Sequence, residues 1–171
     1  FDGDLQEAFT PQSVTLTLED EIDVSRGDMI VRPGNVPSSE QKFDATVVWM
    51  HEDQLVPGKT YLFKQAGKTV TGTVNTLRYQ IDVNTLHRQD TPALKLNEIG
   101  RISVSLHEPI CFDGYRRNKN TGAFIIVDRI SNATLAAGMI LDLSTSEDRH
   151  DHWDDEPRSE SLSTELSTVT A

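Results

Sequence analysis

Near the end of the chain, HDHWDDE (His150–Glu156) sets two histidines among four acids, the side chains that hold divalent metals. A useful metal site also needs a rigid frame that orients its ligands. This stretch lies in a polar run that supplies none, so only adventitious metal affinity is expected. PGKT (Pro57–Thr60) and GKT (Gly67–Thr69) imitate the end of a phosphate-binding loop. The complete motif needs a further glycine five positions earlier, where Asp53 and Leu62 stand. NKNT (Asn118–Thr121) approaches a guanine-reading loop, but Thr121 occupies the position of the required carboxylate. Arg26-Gly27-Asp28 reads as an adhesion triplet or as a turn, and NAT (Asn132–Thr134) as a glycosylation site or as a turn. Cys111, the one cysteine, lacks a His–acid partnership and is expected to be a small buried hydrophobe. No complete catalytic set emerges, and no catalytic, cofactor or metal residue is assigned.

The elements around these residues alternate with period two. Val14, Leu16 and Leu18 share one face, and Ile102, Val104 and Leu106 share another. MIV (Met29–Val31), KFDATVVWM, TYLFKQ, KTVTGTVNTLRYQID, AFIIVD and ATLAAGMI add further strands, punctuated by turns at Pro57-Gly58, Ala66-Gly67 and Ser131-Asn132. Gly72 inside a long strand marks a bend or bulge. VNTLHRQDTPALKL reads as a loop and CFDGYRRNKNTG as irregular. No stretch has a helical period of useful length, so the fold class is all-β, a sandwich or barrel.

The formal net charge is −11. Ser144–Ala171 hold eight acids and two arginines, a net of −6. That segment has almost no core formers and is expected to be a disordered acidic tail or linker. The charge argues against nucleic acid or an anionic membrane as partner. No run approaches 18 apolar residues, against a membrane span. A single cysteine suits a reducing compartment, and the cytoplasm is expected. The sequence starts at Phe1 within a patterned segment and is expected to be part of a longer chain.

EAFTPQSVTLTLEDEIDVSRGDMIV, FDATVVWMHEDQLVPGKTYLFK, VTGTVNTLRYQIDVNTL, LNEIGRISVSLHEPICFD and TGAFIIVDRISNATLAAGMI together resemble the GTPase-subunit family of bacterial sulfate adenylyltransferase (ATP sulfurylase), including its fusion with adenylylsulfate kinase. The resemblance covers about Phe1 to Ile140. It implies a translation-factor-like GTPase, similar to elongation factor Tu, in which two β-barrels follow a nucleotide domain. Residues 1–33 then look like the closing strands of the second domain, and 36–143 like the third domain, an antiparallel β-barrel. The Arg26-Gly27-Asp28 triplet falls at a turn of that second domain.

The family forms adenylyl sulfate from ATP and sulfate, driven by GTP hydrolysis. The resemblance therefore implies GTP, ATP and Mg in the full-length protein and none in this segment. It implies as partners a smaller catalytic subunit, the chain's own upstream GTPase domain and, in the fused form, an adenylylsulfate kinase domain. Arg78, Tyr79, Arg116 and Arg117 are the candidate subunit interface, because Arg and Tyr are enriched at binding hot spots. The plainer reading is that these arginines are solvated or locally paired. A stand-alone β-barrel adaptor without enzymatic role is the competing assignment, and an adhesion module built on the Arg-Gly-Asp triplet is a third.

Overall fold

The computed structural model describes residues 3–9, 11–82 and 85–141. The strands are β1 (Ser38–Trp49), β2 (Thr60–Gln65), β3 (Lys68–Ile81), β4 (Arg88–Gln89), β5 (Ile99–Phe112), β6 (Ala123–Val127) and β7 (Thr134–Ile140). One helical turn, α1 (Lys119–Gly122), precedes β6. Every pairing is antiparallel, in the order β2-β6-β7-β1-β5-β3-β4. β2 also pairs with β3, so six strands close into a barrel and β4 hangs on its flank. Closure leaves the six with no long free edge.

Alternation explains the core. In β5, Ile102, Val104 and Leu106 point inward, as do Ala45, Val47 and Trp49 in β1 and Tyr61 and Phe63 in β2. Phe43 meets Phe112 and Phe124 edge-on at 5.4 and 5.6 Å, and Trp49 meets Tyr61 at 6.1 Å. Each large buried side chain contributes about 1.5–3 kcal/mol. The aromatic cluster needs room, and Gly138 provides it. Gly138 is paired with Phe124 across β6 and β7, and a Cβ there would overlap the Phe124 ring.

Several expectations shift. Gly72 is not a bulge. The irregularities in β3 fall between Val74 and Thr76 and between Leu77 and Tyr79. Gly72 instead admits close neighbours: a Cβ there would lie 2.6 Å from Leu106 Cδ2 and 2.9 Å from the Ser105 carbonyl oxygen. The loop expected after Ile81 contains β4 and an isolated bridge between Leu55 and Leu94. The irregular stretch after Phe112 contains α1, capped by Asn118.

The strands expected at Val14–Leu18 and Met29–Val31 are absent, and no described residue before Ser38 lies in a strand. Leu16 is 63% exposed. Alternation supplies an apolar face, but a strand also needs a hydrogen-bonded neighbour, and no described residue pairs with this segment. The segment touches the barrel at its turn. Gly27 lies so close to the β2–β3 hairpin that a Cβ there would come within 3.2 Å of Lys68 Cβ. The acidic stretch Ser144–Ala171 lies outside the described residues.

Two outcomes are expected. Gly138→Ala should cost about 1–3 kcal/mol in urea denaturation through overpacking, and adding Phe124→Leu should restore part of the loss. Burial, and then the nearby Asp128 carboxylate, push the Tyr61 phenol up to about 12. The folded protein therefore keeps a proton that an unfolded tyrosine releases near pH 10. This contribution should be intact below about pH 10 and lost as pH rises toward 12. Tyr61→Phe should flatten that alkaline decline in a chemical-denaturation series.

Candidate functional site

The nucleotide-like motifs are turns. Gly58 adopts φ +93° and donates its N–H to the Val74 carbonyl at 2.8 Å. Lys59 lies 3.9 Å from Asp128 and 5.4 Å above the Tyr61 ring. Ala66-Gly67 is the β2–β3 hairpin, and the Lys68 ammonium donates to the Pro109 carbonyl at 2.9 Å. Neither segment opens a helix, so neither has a helix N-terminus to hold phosphate. In the Asn118–Thr121 loop, the Asn118 side chain accepts the Asn120 N–H, and Thr121 donates its hydroxyl to Asp113 at 3.2 Å. Arg26-Gly27-Asp28 sits in a turn closed by Asp28 N–H to the Ser25 carbonyl at 3.0 Å.

Cys111 is half-buried rather than buried, because it faces outward between inward-facing Ile110 and Phe112. Among the described residues no group of three His, Cys, Asp or Glu side chains could hold a metal. His150–Glu156 lie outside them.

The four interface candidates occupy two places. On β3, Arg78 Nε lies 3.1 Å from Asp44 Oδ2, and Arg101 Nη2 donates to the same oxygen at 3.4 Å. One β1 carboxylate thus binds guanidinium groups from β3 and β5 across the outer face of the sheet. The Arg88 guanidinium lies over the ring of neighbouring Tyr79, 4.8 Å from the ring centroid. After β5, Arg117 reaches Asp113 at 3.8 Å and donates to the Asn35 side chain at 3.3 Å. Arg116 is exposed. Three of the four are thus engaged within the chain, and among the described residues no hydrogen bond, ion pair or ring contact joins Arg78 and Tyr79 to the second pair.

Two features escaped the sequence reading. Gln65 is the buried polar side chain among the described core, and its amide donates to the Cys111 and Thr121 carbonyls at 3.1 and 2.6 Å. It ties the end of β2 to β5 and α1. Asp128 fixes the β6–β7 turn. Its Oδ1 accepts the N–H groups of Ser131 and Ile130 and the Ser131 hydroxyl. The Ser131 N–H and then the Ile130 N–H hold this carboxyl below the ordinary aspartate range. The signal was an acid two and three residues ahead of the amides it caps.

Residues 42–141 match the family described as GTP-eEF1A C-terminal domain-like. A protein of Rhodopirellula baltica named "Bifunctional enzyme CysN/CysC" is 59% identical over 170 residues, covering 99% of this chain and 26% of its own. "Sulfate adenylyltransferase subunit 1" of Alteromonas mediterranea is 50% identical over 150 residues, covering 88% of this chain and 32% of its own. The protein of that name from Francisella tularensis subsp. novicida is 44% identical over 155 residues, with 91% and 33% covered. This chain therefore spans about a quarter to a third of the length of these relatives. A crystal structure of sup35 complexed with GDP superposes with a TM-score of 0.59 at 14% identity, over 66% of this chain and 28% of the other, a likeness of fold alone. The family match covers more than half of the chain and coincides with the barrel, so the chain belongs to the GTP-eEF1A C-terminal domain-like family.

Proposed function

We propose that this chain is the non-catalytic β-barrel part of the GTPase subunit of a cytoplasmic sulfate adenylyltransferase. The observation that carries the reading is the 59% identity across 99% of the chain to a CysN/CysC protein, with 50% to a subunit 1. In this reading GTP, ATP and Mg act elsewhere in the full-length assembly. A smaller subunit transfers the adenylyl group to sulfate, and GTP hydrolysis drives the uphill step. The barrel docks that subunit and carries the nucleotide state to it. A closed, hydrogen-bonded barrel suits such a relay because it moves as a block.

In this reading residues 1–33 are the closing part of a second barrel and 36–143 the third domain. Val14, Leu16, Leu18, Ile22 and Val24 are the face that upstream strands of the longer protein would cover. In a fused form, the acidic stretch after residue 141 would lead to a kinase domain. Arg116 is the candidate contact whose guanidinium is not drawn into the barrel, with Arg78, Tyr79 and Arg117 contributing the parts their internal partners leave free.

The reading is tested with the full-length subunit and a separately purified smaller subunit. Adenylyl sulfate formation, followed by pyrophosphate release, should require GTP. Synthesis at an equal rate without GTP overturns the reading. Arg116→Glu should weaken subunit association about 2–5-fold at low salt and less at high salt, as for a rim charge. Unchanged affinity removes the arginine from the interface.

A further inference from the structure

β2 ends in a polar residue where its alternation calls for an apolar one. Tyr61 and Phe63 point inward, and Gln65, next in that series, is 2% exposed. Burying an amide costs free energy unless its hydrogens are bonded. The Gln65 amide nitrogen donates twice, to the Cys111 carbonyl at 3.1 Å and to the Thr121 carbonyl at 2.6 Å. Those carbonyls belong to different elements, the end of β5 and α1. Gln65 itself borders the β2–β3 hairpin, where it pairs with Lys68. One side chain thus holds the hairpin, the end of β5 and the loop from Asp113 to Gly122 against one another.

The hairpin and that loop both carry contacts with the chain before Ser38. At the hairpin, two glycines meet. A Cβ on Gly67 would lie 3.5 Å from the Gly27 nitrogen, and one on Gly27 would lie 3.2 Å from Lys68 Cβ. Lys68 is itself anchored, since its ammonium donates to the Pro109 carbonyl at 2.9 Å and lies 3.7 Å from the Glu108 carboxylate. At the loop, Met29, Ile30 and Val31 line a recess with Asp113 and Thr121, and Arg117 donates to the Asn35 side chain at 3.3 Å. Before Ser38, the half-buried described residues are Gly27, Met29 and Pro37, and all three stand at these contacts.

A surface made of two parts seats a segment only if the parts keep a fixed spacing. An apolar side chain at position 65 would fill the core. The two amide bonds add directionality, which sets where the hairpin lies relative to the loop.

We infer that Gln65 is a positioning residue: it holds the β2–β3 hairpin and the 113–122 loop at the spacing that seats residues 27–35, and so ties to the barrel whatever precedes them in the longer protein. In the reading proposed above, the tied part is the rest of a second barrel, and the inference rests on that reading for this identity alone. The seat uses Arg117 and not the exposed Arg116 beside it.

Gln65→Met, Gly27→Ala and a control at the other end of the barrel, Ile130→Ser, are made in the full-length subunit. Hydrogen exchange is followed by mass spectrometry, alongside tryptic cleavage after Arg26. Gln65→Met keeps the length of the side chain and removes both donors. Exchange over residues 25–35 should rise roughly tenfold or more, and the Arg26–Gly27 bond should be cut sooner, while β1 and β5 keep wild-type protection. Gly27→Ala should act alike from the other side of the contact, and the control should match wild type. Wild-type exchange over residues 25–35 in Gln65→Met overturns the inference. So does a uniform rise that includes β1 and β5, which makes Gln65 a general core residue, and so does an equal effect of the control. If Gln65→Met does not fold, Gln65→Asn, one methylene shorter and unable to reach both carbonyls, is read in the same way; failure of both to fold also overturns the inference. The measurement needs no GTP, ATP or smaller subunit, so the functional reading stands or falls separately, by its GTP requirement.

Discussion

A six-stranded sheet closes only where β2 meets β3, and that meeting depends on how near the backbone at Gly72 can come to its neighbours. Gly72 pairs with Tyr61 on one side and Leu106 on the other. Leu106 Cδ2 and the Ser105 carbonyl fill the space that any side chain would need. With this approach secured, the inward faces of six strands converge on one aromatic core and the polar atoms of their backbones are paired around the ring. Gly138 serves the same end across the barrel by yielding its place to Phe124. The arginine positions on β3 and after β5 are set by this closure.

Much of the barrel was legible because a half-buried strand writes its own pattern. Ile102, Val104 and Leu106 alternate with polar residues and do face inward. The turns at Pro57-Gly58 and Ala66-Gly67 stand where their residue types placed them. Val14–Leu18 carry the same alternation and form no strand, since pairing is a property of two segments and the pattern describes one. A glycine in a strand has two meanings, bulge or close approach, and Gly72 took the second because Leu106 packs against it. Cys111 looked buried by residue type, yet strand parity turned it outward.

The arginines illustrate what sequence distance hides. Arg78 and Asp44 are 34 positions apart and meet because β5 lies between β3 and β1. Arg117 and Asn35 are 82 positions apart. Charges that look free along the chain are thus partly consumed by the fold. Ile130 is the reverse case, a hydrophobe that parity would have placed inside a longer strand and that Asp128 holds in water instead. Candidate contacts for a partner are therefore better chosen from what the barrel leaves uncovered than from residue type.

The seam between β1 and β7 joins the first and last strands of the barrel, with Ala45 opposite Ile140 and Trp49 opposite Ala136. During synthesis, then, the strand that emerges first waits for the one that emerges last. At ~5–20 residues per second, the roughly 90 residues from the end of β1 to the end of β7 take about 5–18 s to appear. Throughout that interval Phe43, Val47 and Trp49 stand without their final cover on one side. A ribosome-bound chain of this kind is a natural client for chaperones, and its vulnerability to aggregation is set by how quickly the last seven-residue strand follows.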